Sequence, residues 1–192
     1  MPIVQSFGTF QTVQAAVTPA LATSPWTAGS GSILGYEGDP HTYAALYRTQ
    51  PYVRTVVEFL ARNIAHLGIH LFRRVSDTDR VRLNGHEVSS WLRRPNPGTT
   101  RFRLIESLMQ DLGIYFDAYW LKVRQTDRLG LIRLPPESVA VAGGLLPSGY
   151  LWTTPNGAQY AFAPSEIVHF SGYNPANPLG GLSPLETLRR IL

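Results

Sequence analysis

The chain has 192 residues, 44% of them hydrophobic and 16% charged, which predicts one folded domain or slightly more. Cysteine is absent, so disulfide bonds and thiolate metal sites are excluded. No apolar run reaches the roughly 18 residues of a membrane span, and we therefore expect no membrane partner.

The net charge of +4 is distributed unevenly along the chain. Residues 48–103 hold 11 arginines against four acidic residues, whereas residues 104–192 hold six basic residues against seven acidic ones. A basic region of this kind suits nucleic-acid phosphates or the acidic faces of neighbouring subunits. An ordinary solvated surface is the alternative, because no aromatic–basic nucleic-acid motif accompanies the charge.

The first part of the chain differs in composition from the rest. Residues 1–38 are rich in alanine, threonine, serine, glycine and proline, which predicts a flexible N-terminal arm. The polar cap and proline at Asp39–Pro40 predict the start of a folded domain at residues 39–192, with a short helix that ends near Arg48.

A second helix is predicted from Pro51, because proline suits a first helical turn. Apolar residues recur there at helical spacing, which predicts an apolar stripe along the helix: Val53, Val56, Val57, Leu60, Ile64 and Leu67. Gly68 ends this helix, and residues 69–75 and 81–83 are predicted to pair as a hairpin.

A turn, a capped helix and a strand follow in the central part of the sequence. The turn is Asn96–Gly98, and Thr99 or Thr100 caps a helix whose apolar residues run from Phe102 to Leu112. A strand with alternating apolar residues then starts near Tyr119.

Short strands dominate the remainder of the chain. They are predicted at 131–134, 139–141, 150–154, 158–162 and 167–170. Asn156–Gly157 indicates a tight hairpin, and Ser183–Pro184 indicates the start of another helix. The predicted fold class is α+β, with mixed helices and short, mainly antiparallel strands.

No set of residues with the spacing of a catalytic, cofactor-binding or metal site was found, so we predict no enzyme activity and no cofactor. Lys122 follows no glycine-rich phosphate loop, and His66 and His70 are separated by Gly68. His86–Glu87 lacks the second histidine of a zinc-protease helix. Strand alternation places Glu166 and His169 on opposite faces, and helix capping explains Ser183 better than a nucleophile elbow does. The aromatic residues of the strands are expected to pack in a core or between subunits.

Four blocks of residues, taken in order, resemble the portal protein family of tailed bacteriophages and prophages. They are residues 51–65, 92–112, 131–139 and 166–185. One departure is visible after the central helix, where the family usually has a Gly-Asn-Ala-Tyr-like turn. This chain has Phe116-Asp117-Ala118-Tyr119 at that place.

The resemblance implies a structural subunit of the head–tail connector ring, through which double-stranded DNA is packaged and ejected. Residues 39–192 would form a portal wing or body domain, truncated at the start of a C-terminal helix, with the channel helices, clip and crown absent. The chain would then be a fragment or a shortened gene product. The implied partners are other copies of the subunit (commonly twelve), terminase, capsid and scaffold proteins, head-completion or tail adaptor proteins, and DNA bound without sequence preference. The implied location is the virion, and the host cytoplasm during assembly.

The contact between subunits of a ring must join two different patches. From the charge distribution we expect Arg93 and Arg94 on one side, with acids such as Asp111 and Asp117 on the other. The main alternative function is a small arginine-rich nucleic-acid-binding protein, and an enzyme of unrecognised type is a third hypothesis.

Overall fold

The computed structural model describes residues 42–125 and 128–189. Its helices are α1 (Tyr43–Thr49), α2 (Pro51–His66), α3 (Glu87–Arg93), α4 (Arg101–Ile114) and α5 (Glu186–Arg189). Its strands are β1 (Phe72–Arg74), β2 (Arg80–Arg82), β3 (Asp117–Gln125), β4 (Arg128–Leu134), β5 (Val139–Gly143), β6 (Pro147–Thr153), β7 (Gln159–Phe162) and β8 (Ile167–Ser171). A 3-10 turn, Pro136–Ser138, precedes β5.

The strands form three small antiparallel sheets, so the predicted α+β fold class is confirmed. Strands β1 and β2 form an isolated hairpin, and the other two sheets have the orders β4-β3-β8 and β5-β6-β7. The pairing is antiparallel throughout the described strands. The Asn156–Gly157 turn joins β6 to β7 as predicted, with Gly157 at φ 82°.

Strand β3 lies between two hydrophobic cores because its side chains alternate between two faces. Ala118 and Trp120 pack with α4 residues such as Leu104 and Leu108. Tyr119 and Leu121 pack on the opposite face with residues of the β5-β6-β7 sheet. The molecule therefore has three layers: helices, the central sheet and the outer sheet.

The starts of α2 and α4 agree with the predictions, whereas α1 begins at Tyr43, after the predicted start at Asp39–Pro40. The hydroxyl of Thr100 accepts a hydrogen bond from the amide of Arg103 at 3.3 Å, and Pro51 is the first residue of α2. The hydroxyl of Thr42 accepts from the amide of Ala45 at 3.1 Å and caps α1. The predicted arm, residues 1–38, and the predicted helix start at Asp39–Pro40 lie outside the described residues.

The apolar stripe of α2 is only partly buried. Val57, Ala61 and Ala65 are the buried residues of this helix, whereas Val56 is 57% exposed and Leu60 is 53% exposed. Small residues on the buried side allow α4 to pack closely, and a Cβ atom at Gly113 would lie only 3.3 Å from a methyl carbon of Val57. Because α4 covers only this side of α2, about half of the apolar stripe stays uncovered.

An ion pair links the last turns of α4 to β4. The Nε and Nη2 atoms of Arg133 each donate a hydrogen bond of 2.6 Å to the carboxylate of Asp111. The Asp111 side chain is 2% exposed and that of Arg133 is 38% exposed. Burial raises the pKa of Asp111, although the guanidinium of Arg133 opposes this shift. The ion pair therefore compensates for a carboxylate that the fold removes from water.

Replacing Arg133 with methionine should reduce the free energy of unfolding at pH 7 by about 2–3 kcal/mol, because Asp111 would be left buried without its partner. The loss should be smaller at pH 5. A raised carboxyl pKa means that the folded state binds a proton more tightly than the unfolded state, so stability increases as the pH falls toward the unfolded pKa of about 4. Urea denaturation at both pH values measures the difference.

The double variant Asp111→Leu/Arg133→Met is the matched control, since it removes the charge and its partner together. It should recover most of the lost stability. A deficit of the Arg133→Met variant that is equal at pH 5 and pH 7 would show that Arg133 acts by packing alone.

Candidate functional site

The turn between α4 and β3 is held in an unusual backbone conformation. Phe116 has a φ of 63°, in the left-handed region that costs a residue with a side chain about 1–2 kcal/mol. This is the position at which the chain departs from the glycine of the portal-like turn. Gly172 and Gly181 lie against Phe116 from two sides, and the amide of Gly172 donates to the Phe116 carbonyl at 2.8 Å.

A polar network fixes the neighbouring loop, residues 172–183, to the central sheet. One oxygen of Asp117 contacts Nε2 of His169 at 3.0 Å, and the other accepts the amide of Gly181 at 2.7 Å. The other ring nitrogen of His169 lies 3.3 Å from the hydroxyl of Tyr150. This network connects β3, β8, β6 and the loop.

Ser183 then holds the start of the last helix against α4. Its hydroxyl donates to the carbonyl of Ile114 at 2.5 Å and accepts the amide of Leu185 at 3.1 Å. The serine therefore caps the turn before α5, as the sequence indicated, and also makes a contact over a long sequence distance. Leu185 is buried among residues of α1, α2 and α4.

These contacts form one wall of an apolar groove of about 690 Å³ between α2, α4 and the start of α5. We call it the apolar groove. Its lining comprises Gln50, Tyr52, Val53, Val56, Val57, Leu60, Ile64, Met109, Leu112, Gly113, Phe116, Pro184, Leu185 and Leu188. Among these described lining residues the phenol of Tyr52 is the only ionisable side chain, so the groove suits an apolar occupant.

A second, smaller cleft of about 130 Å³ lies between the β1–β2 hairpin, α3 and the start of α4. We call it the basic cleft, because Arg82, Arg93 and Arg101 line it together with His70. One guanidinium nitrogen of Arg82 lies 2.6 Å from Nδ1 of His70. No described carboxylate forms an ion pair with any of these three arginines. The cleft is therefore suited to an anionic group.

The expected acidic side of a charged subunit contact was wrong in its residues. Asp111 is buried against Arg133, and the carboxylate of Asp117 contacts the ring of His169 and accepts the amide of Gly181. Neither carboxylate is free on the surface, because both neutralise or fix groups inside their own chain. Arg93 and Arg94 are exposed, as the hypothesis required, and neither has an ion pair within the described residues.

The residues considered for catalysis or metal binding have separate structural surroundings. The ring of His66 lies 4.9 Å from that of Phe102, and His86 caps α3 by accepting the amide of Val88. The amine of Lys122 donates to the carbonyl of Ser165 at 2.7 Å. Within residues 42–125 and 128–189, no group of three or more potential metal ligands occurs. Tyr119 and Trp120 are buried, so they cannot stack on bases.

The Asp117–His169 and Asp111–Arg133 contacts were not predicted from the sequence. The partners are separated by 52 and 22 residues, respectively, and no local spacing joins them. Strand pairing could have suggested the first, because β3 and β8 were both predicted and are neighbours in the sheet.

Among the described helices, none is both long and apolar enough to cross a membrane.

Solved structures with a similar fold include chains of gene transfer agent (GTA) particles. A chain in the neck of an empty GTA particle, computed with C6 symmetry, is 25% identical with a TM-score of 0.65, over 76% of this chain and 41% of that chain. A chain in the virion of a native gene transfer agent (GTA) particle is 24% identical with a TM-score of 0.61, over 90% of this chain and 45% of that chain.

A chain in the neck of a native GTA particle, computed with C12 symmetry, is 24% identical with a TM-score of 0.59, over 77% of this chain and 38% of that chain. The chain thus spans less than half of the length of each of these three structures. A comparison with curated proteins gives no match.

The fold is therefore one that occurs in the necks of gene transfer agent particles. The model of the family described as phage portal protein matches residues 51–192, which is most of the chain. The chain belongs to the phage portal protein family, and the resemblance found in its four sequence blocks is confirmed.

Replacing Gly172 with alanine should destabilise the protein by about 1–3 kcal/mol, because the new Cβ would overlap the Phe116 ring. That atom would lie 2.0 Å from a ring carbon, and the overlap should disappear when Phe116 is also replaced with glycine. Thermal unfolding of the single and double variants gives the coupling between the two positions.

Gly181→Ala is the matched comparison, since its Cβ would lie 2.2 Å from the backbone oxygen of Phe116 rather than from the ring. Phe116→Gly should not restore this variant. If Phe116→Gly restored the stability of both alanine variants equally, this would contradict the different contacts that Gly172 and Gly181 make with Phe116.

Proposed function

We propose that this chain forms part of the wing or body of a portal ring, the connector through which double-stranded DNA enters and leaves a capsid. The family match over residues 51–192 carries this proposal. The similar neck structures, computed with C6 and C12 symmetry, support a ring of many copies, for which we propose twelve. The role is structural and not enzymatic, and the place of action is the capsid vertex of a virion.

The domain division and the partners belong to the same proposal. Residues 39–192 form the wing or body domain and residues 1–38 form an arm. In the assembled particle the ring contacts terminase, capsid and scaffold proteins and the head-completion or tail adaptor proteins. The family match supports these partners, and the occurrence of similar folds in particle necks supports a place in the connector.

The exposed arginines support weak contact with anions rather than specific recognition. Arg73, Arg80, Arg93 and Arg94 are exposed and have no ion pair with another described residue. Contacts between arginine and phosphate carry no sequence information and weaken as salt increases. Such contacts are compatible with DNA that must pass through a ring without being held.

The oligomeric state of the purified chain tests the proposal. Native mass spectrometry should give one closed stoichiometry, and negative-stain images should show rings. A monomer that binds a short DNA duplex tightly, with an affinity that falls steeply as salt increases, would replace the portal proposal with the arginine-rich nucleic-acid-binding alternative.

Replacing Arg93 and Arg94 with glutamate should impair ring assembly and raise the concentration needed for half-assembly by about tenfold, because the change reverses the charge at and beside the basic cleft. Mass photometry over a dilution series measures that concentration. The control is Arg73→Glu/Arg80→Glu, which makes the same change in net charge on the β1–β2 hairpin. Unchanged assembly of the Arg93/Arg94 variant would exclude this pair from the subunit contact.

A further inference from the structure

The apolar groove presents a concave surface that no described part of its own chain fills. Two residues on its α2 side, Val56 and Leu60, are 57% and 53% exposed. Its opposite wall is fixed by Ser183 and by Phe116, so the groove is formed before any partner binds. A preformed apolar groove needs little reorganisation to accept an apolar side chain.

The same chain carries a convex apolar feature of matching chemistry. The turn between β5 and β6 presents Leu145 and Leu146, which are 84% and 79% exposed. Gly143 permits this turn, with a φ of 151°, and a Cβ there would lie 2.1 Å from the carbonyl oxygen of Leu146. We call Leu145 and Leu146 the leucine tip.

The leucine tip and the apolar groove cannot meet within one molecule. The tip belongs to the outer sheet, which packs on the Tyr119 face of β3, whereas α4 packs on the Trp120 face. The two features therefore lie on opposite sides of the central sheet. Two different patches on opposite sides of one molecule are the requirement for head-to-tail association.

We propose that the leucine tip of one copy inserts into the apolar groove of the next copy. The contact buries two exposed leucines against Val56 and Leu60, and its repetition from copy to copy closes a ring when the rotation between copies permits closure. This inference rests on the proposed ring and adds the residues of the subunit contact.

Two variants and their mixture test the contact. The tip variant is Leu145→Asp/Leu146→Asp, and the groove variant is Val56→Asp/Leu60→Asp. All four residues are at least half exposed, so both variants should fold, as thermal unfolding will verify. Each variant alone should need a concentration for half-assembly that is higher by about tenfold or more.

An equimolar mixture should form a heterodimer and no larger species in native mass spectrometry. One intact tip and one intact groove remain in the mixture, and only those two can combine. The matched control, Pro155→Asp/Asn156→Asp, places the same charges on the neighbouring β6–β7 turn and should leave assembly unchanged. Half-assembly of the tip variant or of the groove variant at the same concentration as the wild-type chain would overturn the proposal.

Disulfide trapping gives a direct test, because the native chain contains no cysteine. The variant Val56→Cys/Leu146→Cys should form a ladder of covalent oligomers under mild oxidation, and Val56→Cys/Pro155→Cys should not. An absence of the ladder from rings that do form would refute the tip–groove contact.

The outcomes separate this inference from the proposed function. If rings form equally well with the tip or the groove substituted, the portal proposal stands and the tip–groove contact is overturned. Open chains that the variant mixture reduces to heterodimers support the contact without a ring. A wild-type chain that stays monomeric overturns both. A groove variant that loses thermal stability while the tip variant still forms rings would assign the groove to a segment of its own chain.

Discussion

Alternating burial along β3 is the constraint on which the rest of the structure depends. Each face of this strand contributes to a different core, so the helices on one side and the outer sheet on the other are joined through a single layer. A shift of one residue in its pairing with β4 or β8 would exchange the two faces. Two polar contacts connect the elements around β3. The Asp111–Arg133 ion pair joins α4 to β4, where Arg133 lies opposite Trp120 of β3. The Asp117–His169 contact joins the first residue of β3 to β8.

The close packing of α2 on α4 has a consequence for association. Small residues on the buried side of α2 bring the two helices together, but they leave larger apolar residues of the same helix facing outward. A surface of this kind is costly to leave in water and is typical of positions where proteins meet. In α2 the packing within the chain thus uses Val57, Ala61 and Ala65, whereas Val56 and Leu60 of the same helix stay exposed.

Local features of the sequence were predicted well because their causes are local. The starts of α2 and α4, the Asn-Gly hairpin and the order of the strands follow from proline, threonine, asparagine, glycine and the period of apolar residues. Which half of the α2 stripe is buried depends on α4, some 50 residues later, and periodicity cannot specify it. The ion pair of Asp111 and the network around His169 likewise join residues that only the folded chain brings together. The unusual turn at Phe116 was visible only as a departure from a familiar pattern.

The β1–β2 hairpin is exposed along both of its strands and contributes no side chain to the two hydrophobic cores beside β3. Changes in its exposed residues should therefore have little effect on the free energy of unfolding of the packed domain around β3. The connection at Ser76–Asp79 is accordingly the natural position for an inserted peptide, such as an affinity tag or a fluorophore-binding sequence, that has to be displayed without disturbing the fold.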